Sequence, residues 1–165
     1  MKELFSTDNK KVKSALDQAD KKGTVKWIKP LLEAFRDRNE DDLRNRMRGM
    51  LSSVKLSAAE DIFIEILSDM DFKDIHADIL GFIWSAGFVP SESIDIIVRA
   101  ATSGDFRAAI EGLTLIEQCD LVENEQLLLE SIITVRNAMD DKSKSKSHAL
   151  FIPMLEVLEH LERNQ

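Results

Sequence analysis

Apolar residues recur along this chain at steps of three and four, the spacing of one buried helix face, and nowhere in the strict alternation of a half-buried strand. The pattern predicts amphipathic helices over residues 9–22, 24–36, 41–55, 57–69, 73–86, 90–103, 105–118, 123–139 and 147–163. Stop and start signals separate them: Gly23 before Thr24, Ser57 followed at the third position by Glu60, Gly87 ahead of Pro90, and Gly104 before Asp105. Joints this short force each helix to fold back on the last, so the expected architecture is all-α, a row of antiparallel helical hairpins.

One phrase is written three times. It reads DLRNRMRG at 42–49, DIHADILG at 74–81 and DFRAAIEG at 105–112, in steps of 32 and 31 residues. Asp42, Asp74 and Asp105 are expected at or just inside helix starts, where a carboxylate accepts from free backbone N–H groups and opposes the positive end of the dipole. The apolar pairs Leu43 and Met47, Ile75 and Ile79, Phe106 and Ile110 lie four apart and should share a buried face. Gly49, Gly81 and Gly112 each cost about 1 kcal/mol of helix propensity relative to Ala, which is expected where a neighbouring helix packs too closely for a side chain. Arg44, His76 and Arg107 hold the third position, and His76 is expected to hydrogen-bond a neighbouring turn.

These repeats resemble the HEAT-repeat family of helical solenoids. The stretch WIKPLLEAFRDRNEDDLRNRMRGMLSSV carries the likeness best, with Pro30 in the first helix, Asp37 in the turn, and Asp42, Arg44 and Gly49 in the second helix. AEDIFIEILSDMDFKDIHADILGFIWSAG and SIDIIVRAATSGDFRAAIEGLTLIEQC continue it without the first-helix proline. The resemblance implies an α-α superhelix, a right-handed solenoid of about four antiparallel hairpins over residues 1–139. A Ser/Lys-rich linker is expected at 140–147 and a capping helix at 148–165, where FIPMLEVLEHLE echoes WIKPLLEAF. The whole is expected to be one domain.

Composition agrees: 44% hydrophobic residues, no Tyr, six Gly and three Pro suit helices better than a turn-rich β fold. The single Cys119 forms no internal disulfide, which fits a reducing compartment such as the cytoplasm. The N-terminus MKELFSTDNKK lacks the apolar core of a secretory signal, and the longest uncharged run, Ile79 to Ser91, is too short to span a bilayer. The net charge of -8 disfavours nucleic acid. Residues 10–55 nevertheless hold 13 Lys/Arg against 7 Asp/Glu, while residues 56–165 hold 8 against 21. Such a division suits an acidic partner, or salt-sensitive self-association.

Sites for chemistry are sparse. His76, His148 and His160 make no H-E-x-x-H motif, and none precedes a Glu, so the His-Glu iron pairs of the HEAT-like deoxyhypusine hydroxylases are missing. No nucleophile elbow, P-loop or dinucleotide fingerprint occurs, and no catalytic residue, metal or cofactor is expected. Carboxylate pairs such as Asp74 and Asp78 read as solvated surface. Cys119 stands beside Asp120 and Glu123, which should raise its pKa and suits a structural thiol. Met47, Met50 and Met70 read as core fillers. The cluster Arg36, Arg38, Arg44, Arg46 and Arg48 is interleaved with acids, as in a salt-bridged surface or an anion-binding one.

Turning each phrase at 100 degrees per residue puts Asn45, Arg48 and Ser52 opposite the first buried face, with Ala77, Leu80 and Trp84, then Ala108, Glu111 and Leu115, at the matching places. On a HEAT-like frame this side lines the concave surface. Leu80, Trp84 and Leu115 rimmed by Arg48 and Glu111 would then form a docking patch for a protein or peptide, unless curvature or the last helix covers them. The expected function is a non-catalytic scaffold or adaptor. The alternative is a HEAT-like DNA-binding enzyme of the alkylpurine DNA glycosylase type, with Trp27, Trp84 and the arginine cluster as counterparts, against which the acidic body stands.

Overall fold

The computed structural model describes residues 1–144 and 146–164; Ser145, in the expected linker, and Gln165, at the end of the expected cap, lie outside the described residues. Among these, nine α-helices and no strand are present: α1 (Asn9–Lys22), α2 (Ile28–Asp37), α3 (Asp41–Ser52), α4 (Ala58–Leu67), α5 (His76–Ala86), α6 (Ile94–Ser103), α7 (Phe106–Ile116), α8 (Glu125–Asp140) and α9 (His148–Arg163). Short 3-10 turns precede α2, α5 and α6, at Val25–Trp27, Met70–Ile75 and Ser91–Ser93. They occupy much of what the periodicity assigned to helix starts. No helix among the described residues is long and apolar enough to cross a membrane.

The helix ends follow local chemistry, with exceptions. Gly23 closes α1 and Gly87 closes α5 in the left-handed conformation, at φ 52° and 80°, which an L side chain rarely adopts. Asp8 and Asp105 cap α1 and α7, accepting from the backbone N–H groups of Lys10 and Ala108, both at 2.9 Å. Asp42 sits in the first turn of α3 after Glu40 and pairs with Lys13 at 2.9 Å, a contact that holds its carboxyl below the usual range. Asp74 does not open α5: it lies within the 3-10 turn Met70–Ile75, whose cap is Asp69. Nor does Ser57 cap α4, since its backbone is already helical and its side chain makes no cap bond.

Packing runs in two layers. Helices α2 and α3, α4 and α5, α6 and α7, α8 and α9 meet as successive pairs; contacts then pass along α1, α3, α5, α7 and α9 on one side and along α2, α4, α6 and α8 on the other. Each helix buries an apolar stripe against its partner and its layer neighbours. The aromatic centre is Phe82 of α5, edge-on to Phe35 of α2 at 5.6 Å and tilted to Phe63 of α4 at 6.4 Å. Side chains also tie loops to helix ends. Lys55 donates to the Ala86 carbonyl at 2.9 Å and Lys144 to that of Ser103 at 2.8 Å, placing cations at the negative ends of α5 and α6. Arg38 holds the N-terminal turn Lys2–Phe5 through the carbonyls of Leu4 and Ser6.

The three phrases do not present one face. Leu43 and Met47, then Ile75 and Ile79, are buried, but Phe106 and Ile110 are exposed, contrary to expectation. Helix α7 instead buries Ala108, Ala109, Gly112, Leu115 and Ile116, because α5, α6 and α9 all pack against it and the small residues let α6 come close. A Cβ on Gly112 would stand 2.3 Å from that of Ala101. Gly49 has nothing within 4 Å of such an atom, so close approach does not explain it, and at Gly81 the nearest atoms are 3.4 Å away on the Glu111 carboxylate. Met70, expected in the core, is exposed.

The two glycines therefore respond oppositely to alanine. Gly49→Ala should stabilise by roughly 0.4 to 1 kcal/mol through helix propensity. Gly112→Ala should destabilise by about 1 to 3 kcal/mol, because Ala101 sits on a packed backbone and must be displaced. Urea unfolding of both variants beside the wild type measures the difference.

Candidate functional site

The structured polar feature of the molecule lies across α3, α5 and α7. Asp78 of α5 has a side chain only 7% exposed, and its Oδ1 accepts from Arg48 of α3 and from Arg107 of α7, the latter at 2.7 Å. Arg107 also approaches Glu111, one turn along α7, at 4.0 Å. The Asp78 hydrogen bond raises the Arg107 pKa above its already high ordinary value. Phe35 fixes the other end: the Arg44 guanidinium lies 4.2 Å and that of Arg48 5.1 Å from its ring centroid, while Arg44 donates to the carbonyls of Phe35 and Arg38. A charged strip of fixed geometry thus crosses three helices.

Trp84 lies farther along α5 than Asp78. It is 45% exposed and follows Gly81 by one turn on α5, the place where the Glu111 carboxylate comes to rest. Leu80 and Leu115 do not join it: they are 0% and 1% exposed, buried in the core, and Ala108 is buried too. The reason is packing on several sides. Helix α5 lies between α3 and α7 and against α4, so most of its circumference is covered, and α7, which carries Leu115, is packed against α5, α6 and α9. Of the five residues expected to form the patch, Arg48, Trp84 and Glu111 reach the surface.

Asp78 was missed for the opposite reason, having been paired with Asp74 as solvated surface. Its signal was periodic: Arg48 precedes it by 30 residues and Arg107 follows it by 29, one repeat to either side. The other arginines of the cluster are engaged within the chain: Arg36 with Asp37, Arg38 with Glu40 and the N-terminal carbonyls, and Arg46 with Asp17 at 2.5 Å. Ion pairs within the chain thus engage Arg36, Arg38, Arg46 and Arg48, while Arg44 is held by carbonyls and the Phe35 ring.

Other candidate groups are inward. His76 is buried, and its ring lies against the backbone of Asp69 in the turn before α5 without a well-formed hydrogen bond at either nitrogen. Burial pushes its pKa down, helped by Lys73 and opposed by the nearby Asp69 backbone and carboxylate. The Cys119 thiol is buried and pushed up to about 11 by desolvation and by Asp120, as a structural cysteine should be. Among the described residues no group of three His, Cys, Asp or Glu side chains is placed to hold a metal ion.

Two outcomes follow. Asp78→Ala should cost about 1 to 3 kcal/mol in urea unfolding, the range for charge-assisted bonds, because both half-exposed arginines can rehydrate; Asp78→Asn should cost less. His76 takes up its proton more readily unfolded than folded. Its contribution is therefore fully present above about pH 6.5 and lost as pH falls toward its lower folded pKa. Melts from pH 7 to 5 should show a decline of at most about 1.4 kcal/mol per unit, and His76→Leu should abolish that part of the slope.

In comparisons with known proteins, the chain matches no family model, no curated protein and no solved structure.

Proposed function

We propose that the chain is a HEAT-like scaffold: a right-handed superhelix of about four helical hairpins that binds a protein or peptide partner without catalysing a reaction. It acts in the cytoplasm and needs no cofactor. The partner docks on the face formed by α3, α5 and α7. Packing in two layers, with successive second helices side by side, supports the frame, since such a row offers an extended surface.

One observation carries the binding role: a large aromatic side chain, Trp84, stands exposed on α5 one turn from Gly81, where Glu111 of the Arg48, Asp78, Arg107 and Glu111 strip comes to rest. An apolar anchor with an ordered polar rim is the composition of an interface centre, and a fixed rim loses little freedom on binding. Nucleic acid is disfavoured, because the arginine cluster is spent on internal contacts and the net charge is -8.

Affinity capture from the native source with wild type and Trp84→Ala side by side, each also melted, tests this. The variant should keep its melting temperature and lose a specific partner, truncation of a central aromatic costing at least about 2 kcal/mol of binding. A melt lowered by the equivalent of about 3 to 5 kcal/mol would instead place Trp84 in the core.

A further inference from the structure

A second feature, far along the chain from Trp84, pairs a socket with a knob. The socket is a cleft of about 180 Å³ between the C-terminal ends of α1 and α3, walled by Trp27, Ile28, Leu31, Met50, Val54 and Leu56. An enclosed apolar cavity of about 150 Å³ takes one benzene-sized group; this cleft is open to solvent and part-polar, with Asp20 and Lys55 in its wall, and its apolar side has room for a single branched aliphatic side chain. Lys21, Lys22 and Lys26 interleave in sequence with the lining residues; all three are exposed and make no ion pair among the described residues, while Asp20 is the one acid in the lining.

The knob is the loop between α7 and α8. Leu121 at its centre is 52% exposed, and Cys119 and Val122 on either side are buried, so the loop is pinned into the core at both shoulders while the leucine points away. Glu117, Asp120, Glu123 and Glu125, all exposed, surround it. An acidic loop with one aliphatic tip thus complements, in charge and in size, a lysine-flanked cleft with an apolar wall. Helix α5 stands between the two along the layer, so the loop cannot fill the cleft of its own chain.

We infer that the protein associates head to tail with a second copy of itself, Leu121 of one molecule entering the Trp27–Leu56 cleft of the next. The contact is heterologous: every added copy brings a new knob and a new socket, which gives open chains or a closed ring rather than a two-fold dimer. It does not depend on the Trp84 face. The lysine and carboxylate flanks make it sensitive to salt.

The test is sedimentation velocity over protein concentration at about 50 mM and about 500 mM salt. Wild type and Trp84→Ala should both grow beyond dimers at low salt and dissociate at high salt. Leu121→Ser, which has a socket but no knob, and Leu56→Asp, which has a knob but a charged socket, should each weaken association about tenfold or more. Mixed, these two should form a 1:1 dimer that grows no further. A nine-residue peptide matching residues 117–125, with serine at the cysteine, should dissociate wild-type assemblies. A wild type that stays monomeric at low salt, or a Leu121→Ser variant that assembles like wild type, would overturn the inference. Peptide binding to a persistently monomeric wild type would also overturn it, and would assign the cleft to an acidic segment of another protein.

Discussion

No helix from α2 to α7 is longer than 12 residues, and a helix of that length is marginal in water by itself. Each is held by what it covers on its neighbours. This requirement organises the rest of the molecule: paired helices, two layers, and a central helix, α5, whose flanks are almost entirely occupied. Phe82 fills the space toward α2 and α4, Asp78 reaches the arginines of α3 and α7, and what remains of α5 for the solvent is the strip containing Trp84.

The same requirement explains what could be seen in the sequence. Helix positions were legible because local signals set them: the 3.6-residue period, Gly23 and Gly87 in left-handed caps, and Asp105 on its backbone amide. What a helix faces was less legible. Period locates the apolar stripe but is silent about how many neighbours a helix has, so extrapolating one wheel phase from α3 to α7 misplaced Leu80, Leu115, Phe106 and Ile110. In α7 the small residues decide instead, with Gly112 and Ala101 drawing α6 against a side that the repeated phrase left open. Gly49, with the same place in the phrase and open space around it, shows that a shared letter need not mean a shared cause.

The charged residues teach a similar lesson. A count along the chain separates a basic third from an acidic remainder, but most of the arginines in that third are committed to carbonyls, rings and carboxylates close by. Of the lysines there, Lys13 is paired with Asp42, and Lys10, Lys11, Lys21, Lys22 and Lys26 are left to carry the outward positive charge. Composition alone would have credited the arginines with it.

The side-chain ties between helices and loops share a short reach. Arg48 to Asp78, Asp78 to Arg107 and Lys55 to Ala86 all span 29 to 31 residues, and among the described residues the longest hydrogen bond of this kind, from Lys144 to Ser103, spans 41. Among the described residues, none of these bonds joins one end of the chain to the other. Closing loops of such length costs little more entropy for the last unit than for the first, and helical chains rich in local contacts fold quickly. A chain cut after α5 would leave bare the sides of α4 and α5 that α6 and α7 cover, so the part made first is completed only as the next pair of helices arrives.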